Sequence, residues 1–208
     1  MSLSKEHLLM IDGPIGQIES KINYPKDIGL IKGVVIIAHP HPLQGGTMEN
    51  KVVQTVARAA VETNFVALRF NFRGVGASKG RHDKGVGEIA DMVHVREALP
   101  TIGEFDSIIL AGFSFGSYIA AKAFSAKRAD GLILIAPAVG YYNFGQLASK
   151  DTLIIHGSKD EVVPLSSVFD WAEGQEVPLT IFPRAGHFFH GMIPPLKGVI
   201  KRYIKSIG

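Results

Sequence analysis

Cysteine is absent from the 208-residue sequence. The chain therefore offers no disulfide framework, no thiol nucleophile and no thiolate ligand for a metal ion. It also has no run of about 18 apolar residues, so the sequence predicts no membrane span and no membrane partner. The N-terminal segment lacks a basic region followed by a long apolar stretch. We therefore expect no signal peptide and a cytoplasmic location.

Charge of one sign is also scarce. The formal net charge is +3, and the lysines and arginines are scattered along the chain. Since nucleic-acid binding needs a concentrated basic surface, we expect no nucleic-acid partner. Apolar residues, in contrast, make up 46% of the chain and charged residues only 20%, which allows a large core. This length suits one core, so residues 1–208 are expected to form a single domain.

Apolar runs alternate with helix-like segments along most of the chain. Runs that are apolar at both odd and even positions predict strands buried on both faces, at 33–39, 65–72, 107–113, 131–138, 151–157 and 179–185. Helix-like segments lie at 48–62, 86–99, 114–126 and 165–174, and an amphipathic helix follows Pro194 and Pro195. The N-terminal "HLLMIDGPIGQIESKINYP" predicts a hairpin. The fold class is therefore α/β, a mostly parallel doubly wound sheet with an N-terminal antiparallel hairpin.

One serine stands where a predicted strand meets a predicted helix. The stretch "GFSFG" (112–116) matches G-x-S-x-G and follows the strand 107–113. Such a turn projects the Ser114 hydroxyl above the sheet, and side chains at positions 112 and 116 would collide with the neighbouring strand or helix. The same turn also puts the start of a helix behind the hydroxyl, where developing negative charge is favoured. We predict that Ser114 is a nucleophile.

A serine nucleophile needs a base and an acid that orients the base. In the α/β-hydrolases whose serine turn this G-x-S-x-G stretch resembles, the acid and then the histidine follow the serine along the chain. Asp160 follows the strand 151–157 and His187 follows the strand 179–185, so both are predicted at the strand ends that carry Ser114. His190 is an alternative base. His156, inside a strand, is expected to be a fully bonded core histidine.

The loop after the strand 33–39 is a candidate donor of backbone N–H groups. Acyl transfer needs donors for the oxyanion, and the Phe115 N–H follows the serine directly. Pro40 and Pro42 have no N–H, which leaves His41 as first choice and Leu43 as second for the other donor. His39 and His41 could instead ligate a metal, but no third ligand lies nearby in the sequence, so no metal site is predicted.

The loop "RFNFRGVGASKG" (69–80) follows the strand 65–72. Its glycines, 74, 76 and 80, do not have the spacing of a dinucleotide-binding loop, and no helix opens there. They are instead expected to supply positive φ angles beneath the site. Arg73 is expected to brace this loop by pairing with Asp91.

Together the motifs resemble those of a small serine α/β-hydrolase, most similar to compact bacterial members near the dienelactone-hydrolase and serine-aminopeptidase-like groups. The resemblance runs from "VVIIAHPHPLQGGTMENKVV" through "AGFSFGS" and "HGSKDEVVP" to "AGHFFHG". It implies an α/β-hydrolase fold and a cofactor-independent esterase, or related acyl hydrolase, whose catalytic triad is Ser114, Asp160 and His187. The first loop has His-Pro where many relatives have His-Gly, which leaves the second oxyanion donor open. A thioesterase, a peptidase or a non-catalytic binding protein of this fold is an alternative.

Relatives often carry a lid after the strand that ends here in "LIAPA". Only "VGYYNFGQLASK" (139–150) separates that strand from the next, too little for a helical cap. We expect an open site for a small-molecule ester or acyl substrate; the oligomeric state is left open. Its apolar walls are expected to come from residues of two loops: Tyr141, Tyr142, Phe144, Phe188, Phe189 and His190.

Overall fold

The fold is built on an eight-stranded sheet in a computed structural model that describes residues 6–127, 129–147 and 152–208. The strand order is β1-β2-β4-β3-β5-β6-β7-β8. The strands are β1 (Glu6–Gly13), β2 (Gly16–Asn23), β3 (Gly33–Ala38), β4 (Phe65–Phe70), β5 (Ser107–Phe113), β6 (Gly131–Ile135), β7 (Thr152–Gly157) and β8 (Leu179–Phe182). The predicted start of the seventh strand at 151 lies outside the described residues.

Helices cover both faces of this sheet. They are α1 (Lys51–Val61), α2 (Val86–Glu97), α3 (Leu99–Ile102), α4 (Phe115–Ala126), α5 (Leu165–Gln175) and α6 (Ile193–Ile207). Successive side chains of a strand point to opposite faces. In β3, Val34 and Ile36 join the core under α2 and α4, while Val35 and Ile37 join the core under α1 and α6. The continuous apolar runs follow from this double burial.

The predicted N-terminal hairpin is present and forms one edge of the sheet. β1 pairs with β2 in antiparallel register, and β2 pairs antiparallel with β4. The pairs from β4 through β3, β5, β6 and β7 to β8 are parallel. The predicted fold class, a mostly parallel sheet with an antiparallel hairpin, is therefore confirmed.

The segment after β6 bears on access to the site. Residues 136–147, which follow β6, contain no helix, in agreement with the predicted lack of a helical cap. No helix in the described part of the chain is long and apolar enough to cross a membrane. The parallel strands all end at one edge of the sheet, where ligands of open α/β sheets bind. The loops that follow them carry the candidate residues.

Candidate active site

Ser114 occupies a strained turn between β5 and α4. Its backbone has φ 56° and ψ −117°, a positive φ that only glycine adopts without cost. The Ser114 N–H donates to the Ile135 carbonyl at 2.9 Å, which fixes the turn to the neighbouring strand. A Cβ at Gly112 would collide with the Gly116 carbonyl, and one at Gly116 with the Ala38 carbonyl. The predicted need for glycine at both positions is confirmed.

Asp160 lies in the loop after β7 and is held by three hydrogen bonds. Its Oδ1 accepts the N–H groups of Val162 at 2.9 Å and Val163 at 2.8 Å, and its Oδ2 lies 2.8 Å from His187 Nδ1. Burial of the side chain alone would raise the pKa of Asp160. The bond from His187 and the two backbone bonds outweigh burial and hold this pKa below its usual value. Asp160 is thus suited to remain a carboxylate that orients His187.

His187, in the loop after β8, lies beside the serine turn. Its side chain is 4% exposed, and its ring centroid is 5.1 Å from that of Phe113, the residue before Ser114. With Nδ1 donating to Asp160, the lone pair lies on Nε2, as a general base requires. Within the described chain no hydrogen bond joins His187 to the Ser114 hydroxyl, and such bonds are often long before substrate binds. The structure therefore brings the three predicted residues to one place.

The rivals of Asp160 and His187 have other contacts. Glu161 Oε2 accepts the backbone N–H of His187 at 3.3 Å and so touches its main chain. His190 is exposed, and its nearest ring neighbour is Phe188 at 5.9 Å. His156 is fully buried and donates Nε2–H to the Val163 carbonyl at 2.9 Å. Its Nδ1 has no hydrogen-bond partner among the described residues, so the prediction of a fully bonded core histidine is wrong in that respect.

Two candidate donor N–H groups, those of Phe115 and His41, have no acceptor among the described residues. Phe115 is the first residue of α4, where N–H groups have no intrahelical partner. The His41 N–H has no acceptor among the described residues. The Leu43 N–H, the second choice, donates to His41 Nδ1 at 3.2 Å. The rings of His41 and Phe115 lie 5.0 Å apart, so the two residues are neighbours. Their use as oxyanion donors stays a prediction.

His39 is a structural histidine. Its Nε2 accepts the Phe72 N–H at 3.0 Å, so its Nδ1 carries the proton and donates to the Pro40 carbonyl at 2.6 Å. Burial lowers the pKa of His39 to about 4, although the bond to Pro40 opposes this. With both nitrogens engaged, His39 has no lone pair left for a metal ion beside His41.

The loop after β4 has the structure predicted for it. Arg73 pairs with Asp91 through two bonds, Nη2 to Oδ1 at 2.7 Å and Nε to Oδ2 at 3.0 Å. Gly74, Gly76 and Gly80 have φ angles of 77°, 56° and 90°. The glycines therefore serve loop conformation, and Arg73 ties the loop to α2.

Two of the predicted apolar walls are core residues instead. Phe144 is 2% exposed, and its ring packs against Trp171 at 5.0 Å and Tyr118 at 5.7 Å. Phe189 is fully buried, with its ring 5.6 Å from that of Phe182. Both were predicted from their place in site loops, but each fills a space between a loop and a helix or strand. The prediction that Phe144 and Phe189 line the site is therefore wrong.

The other predicted wall residues are accessible at the carboxyl edge of the sheet. Tyr141 is 67% exposed, and its hydroxyl donates to the Val162 carbonyl at 3.3 Å. Phe188 is 41% exposed, with its ring 5.2 Å from that of His187. Tyr142 is half-buried, and His190 is exposed. Their use by a substrate stays a prediction.

Sequence reasoning missed His82 and Glu88. The His82 ring lies 4.8 Å from that of His41 and 5.8 Å from that of Phe115. Glu88 Oε1 lies 2.8 Å from His82 Nδ1, and the Glu88 side chain is fully buried. The sequence contains one signal for Glu88, an acid in the first turn of a predicted helix. That pattern is typical of a helix cap and does not indicate a contact with His82.

A known protein family matches more than half of the chain. Residues 30–150 match the family described as serine aminopeptidase, S33. This stretch contains the serine turn and the loop with His41.

Similar proteins agree over almost the whole length. An α/β serine hydrolase homologue from Coxiella burnetii is 42% identical, with a TM-score of 0.88 over 97% of this chain and 98% of its own. XC6422 from Xanthomonas campestris, described as an α/β serine hydrolase without a lid, is 34% identical, with a TM-score of 0.91 over 99% and 96%. The uncharacterized protein RP471 of Rickettsia prowazekii is 30% identical over 96% of this chain and 89% of its own. The chain therefore belongs to the serine aminopeptidase S33 family of α/β serine hydrolases.

Proposed function

We propose that the protein hydrolyses a carboxylic ester, or a related acyl bond, of a small-molecule substrate through an acyl-enzyme. The observation that carries the proposal is the 2.8 Å bond between His187 Nδ1 and Asp160 Oδ2 beside the strained turn of Ser114. A buried carboxylate that orients a histidine next to a raised serine is the arrangement that activates a hydroxyl. No cofactor takes part.

In the first step, His187 Nε2 removes the proton of Ser114 as Oγ attacks the substrate carbonyl carbon. The carbonyl oxygen becomes an oxyanion that the N–H groups of Phe115 and His41 stabilise, helped by the start of α4. Asp160 stabilises the imidazolium of His187. The tetrahedral intermediate collapses when His187 gives its proton to the leaving group, which departs and leaves an ester on Ser114.

In the second step, water attacks this ester. His187 takes one proton of the water, the oxyanion forms again between the same two N–H groups, and the bond from the acyl carbon to Ser114 Oγ breaks. Ser114 regains its proton from His187, and the carboxylic acid leaves. Proton and charge balance without any group beyond substrate and water.

Access to the site favours small or extended acyl groups. Residues 136–147 contain no helix that could close over Ser114, and XC6422 is described as a hydrolase without a lid. Exposed Tyr141 and Phe188 are the apolar surfaces available to a substrate. A long acyl chain that lies on such exposed side chains gains little burial.

The test is Ser114→Ala assayed on short p-nitrophenyl esters. We expect a loss of at least about 10⁴-fold in kcat with the fold intact, because His187 then has no hydroxyl to activate. A fluorophosphonate should label the wild type and not the variant. Ser125→Ala is the matched control: Ser125 lies on α4 and donates to the Ala121 carbonyl, so it should keep both properties. Unchanged turnover in Ser114→Ala would refute the proposal, and a wild type that resists labelling would favour a binding protein.

Peptide hydrolysis is a second candidate, because the matched family is described as serine aminopeptidase. The same serine, histidine and acid serve amide cleavage, and the difference lies in leaving-group protonation by His187. A panel of esters, thioesters, lactones and aminoacyl amides, ranked by kcat/KM, separates these activities. Higher values for aminoacyl amides than for esters would move the assignment to a peptidase.

A further inference from the structure

His41 is held mainly by bonds inside its own loop. Its carbonyl accepts the N–H groups of Gln44 and Gly46, both at 3.1 Å, and its Nδ1 accepts that of Leu43 at 3.2 Å. Such bonds shape the loop but do not fix its distance from α4. Ring contacts with His82 and Phe115 join the His41 side chain to other segments of the fold.

The rings of the two candidate oxyanion donors, His41 and Phe115, contact each other and the ring of His82. The ring centroids of His41 and Phe115 are 5.0 Å apart, those of His41 and His82 4.8 Å, and those of His82 and Phe115 5.8 Å. Each ring therefore contacts the other two at distances typical of aromatic pairs. Two of the three rings belong to the candidate oxyanion donors, His41 and Phe115.

The third ring, that of His82, lies against the buried carboxylate of Glu88. Its side chain is 11% exposed, and its Nδ1 lies 2.8 Å from Glu88 Oε1, although off the line of a good hydrogen bond. Glu88 is itself buried and accepts the N–H groups of Asp83 at 2.9 Å and Gly85 at 2.8 Å. A carboxylate with several donors in the first turn of α2 is a rigid support.

We propose that His82 is a positioning residue of the oxyanion hole. Its ring, backed by Glu88, sets the place of His41 relative to Phe115 and so the spacing of their two N–H groups. This inference rests on the proposed function. Misplacing an oxyanion donor weakens binding of the transition state more than binding of the substrate. His82 therefore acts on kcat and leaves KM nearly unchanged.

The test separates the ring of His82 from its contact with Glu88. His82→Phe keeps a ring and loses the polar contact, whereas His82→Gln keeps a polar group for Glu88 and loses the ring. We expect His82→Gln to lower kcat about tenfold to a hundredfold, with KM changed less than about threefold. His82→Phe should lose less, about threefold to fivefold, because it keeps the ring and loses only the contact with Glu88. The rate of fluorophosphonate labelling of Ser114 should follow kcat, which makes the result independent of the substrate.

His94→Gln is the matched control, because His94 is a half-buried histidine on α2 whose ring bonds the Ala90 carbonyl, away from the three rings. A second test removes the His41 ring. His41→Ala keeps its backbone N–H, and in that background His82→Gln should cost less than about threefold, since His82 acts through His41.

Several results would overturn the inference. Unchanged kcat in a folded His82→Gln would do so, as would equal losses in His82→Gln and His82→Phe, or a rise in KM alone. If His82→Gln does not fold, His82→Phe becomes the test. A hundredfold loss of kcat in His82→Phe would then refute the claim that the ring of His82 positions His41. The proposed function fails separately, through a Ser114→Ala protein that remains active.

Discussion

His39 and His187 are both buried histidines at the carboxyl edge of the sheet, yet their chemistry differs. They are 0% and 3% exposed, respectively. His39 uses both ring nitrogens on backbone groups, those of Pro40 and Phe72. His187 donates a hydrogen bond from Nδ1 to the carboxylate of Asp160, and within the described chain its Nε2 is left free to accept a proton.

The comparison shows that burial alone does not assign a role to a histidine. A backbone carbonyl is a neutral partner, so for His39 the cost of burying charge prevails and its pKa falls to about 4. A carboxylate can stabilise a cation on the ring beside it. The hydrogen-bond partners of the two ring nitrogens therefore decide the role. A histidine with both nitrogens bonded to backbone groups fastens a loop, and one with a carboxylate on Nδ1 and a free Nε2 can transfer a proton.

The largest expected effect comes from removing the histidine that keeps a free nitrogen. His187→Ala should lower kcat at least about 10⁴-fold, since Ser114 then has no base. Circular dichroism should show an unchanged fold, and kcat on a p-nitrophenyl ester is the measurement. His190→Ala is the control and should remain within about threefold. A greater loss in His190→Ala would assign the base to His190.

A somewhat smaller effect is expected when the partner of His187 loses its charge. In Asp160→Asn, the side-chain oxygen can still accept from the N–H groups of Val162 and Val163, which turns the amide NH₂ toward His187. Nδ1 must then accept, the proton moves to Nε2 and the base is lost. We expect kcat to fall about 10³- to 10⁴-fold with little change in KM.

The neighbouring acid is the control for this change. Glu161 contacts the His187 backbone, not its ring, so Glu161→Gln should change kcat by less than about threefold. If Glu161→Gln is the more damaging substitution, the acid of the site is Glu161 and the comparison of histidine partners must be redrawn around it.

The fold and the placement of the candidate residues could be predicted because their signals are local. Strands buried on both faces give continuous apolar runs, and a parallel sheet then places all following loops at one edge. Ser114 and Asp160 follow such runs. His187 follows β8, which was wrongly expected to be buried on both faces, because it is the edge strand and Ile181 is exposed. No contact between distant segments had to be foreseen to bring them to the same edge.

The wrong prediction for Phe144 and the omission of His82 come from contacts between segments that are distant in sequence. Phe144 is buried because Trp171 of α5 and Tyr118 of α4 pack on it, and nothing in its own loop indicates this. His82 meets His41 and Phe115 from a third loop. Aromatic packing has no spacing rule along the chain, so only the structure reveals it.

The smallest expected effect tests the other side of the comparison, the structural role of His39. Its pKa in the folded state, about 4, lies below its ordinary value of 6.5. Between these values the unfolded chain binds a proton that the folded chain does not. Stability should therefore be complete above about pH 7 and fall with decreasing pH, by about 1 kcal/mol per pH unit from this group. Urea unfolding from pH 7 to pH 4.5 measures the slope.

His39→Gln should remove this share of the pH dependence while costing about 1 kcal/mol at pH 7 through a weakened hydrogen bond. Phe72→Leu is the matched control. It disturbs the ring that lies 4.4 Å from His39 but removes no titratable group, so it should lower stability at every pH and leave the slope as in wild type. Parallel slopes for wild type and His39→Gln would mean that His39 binds its proton equally in both states. In that case its two backbone bonds would not set it apart from His187.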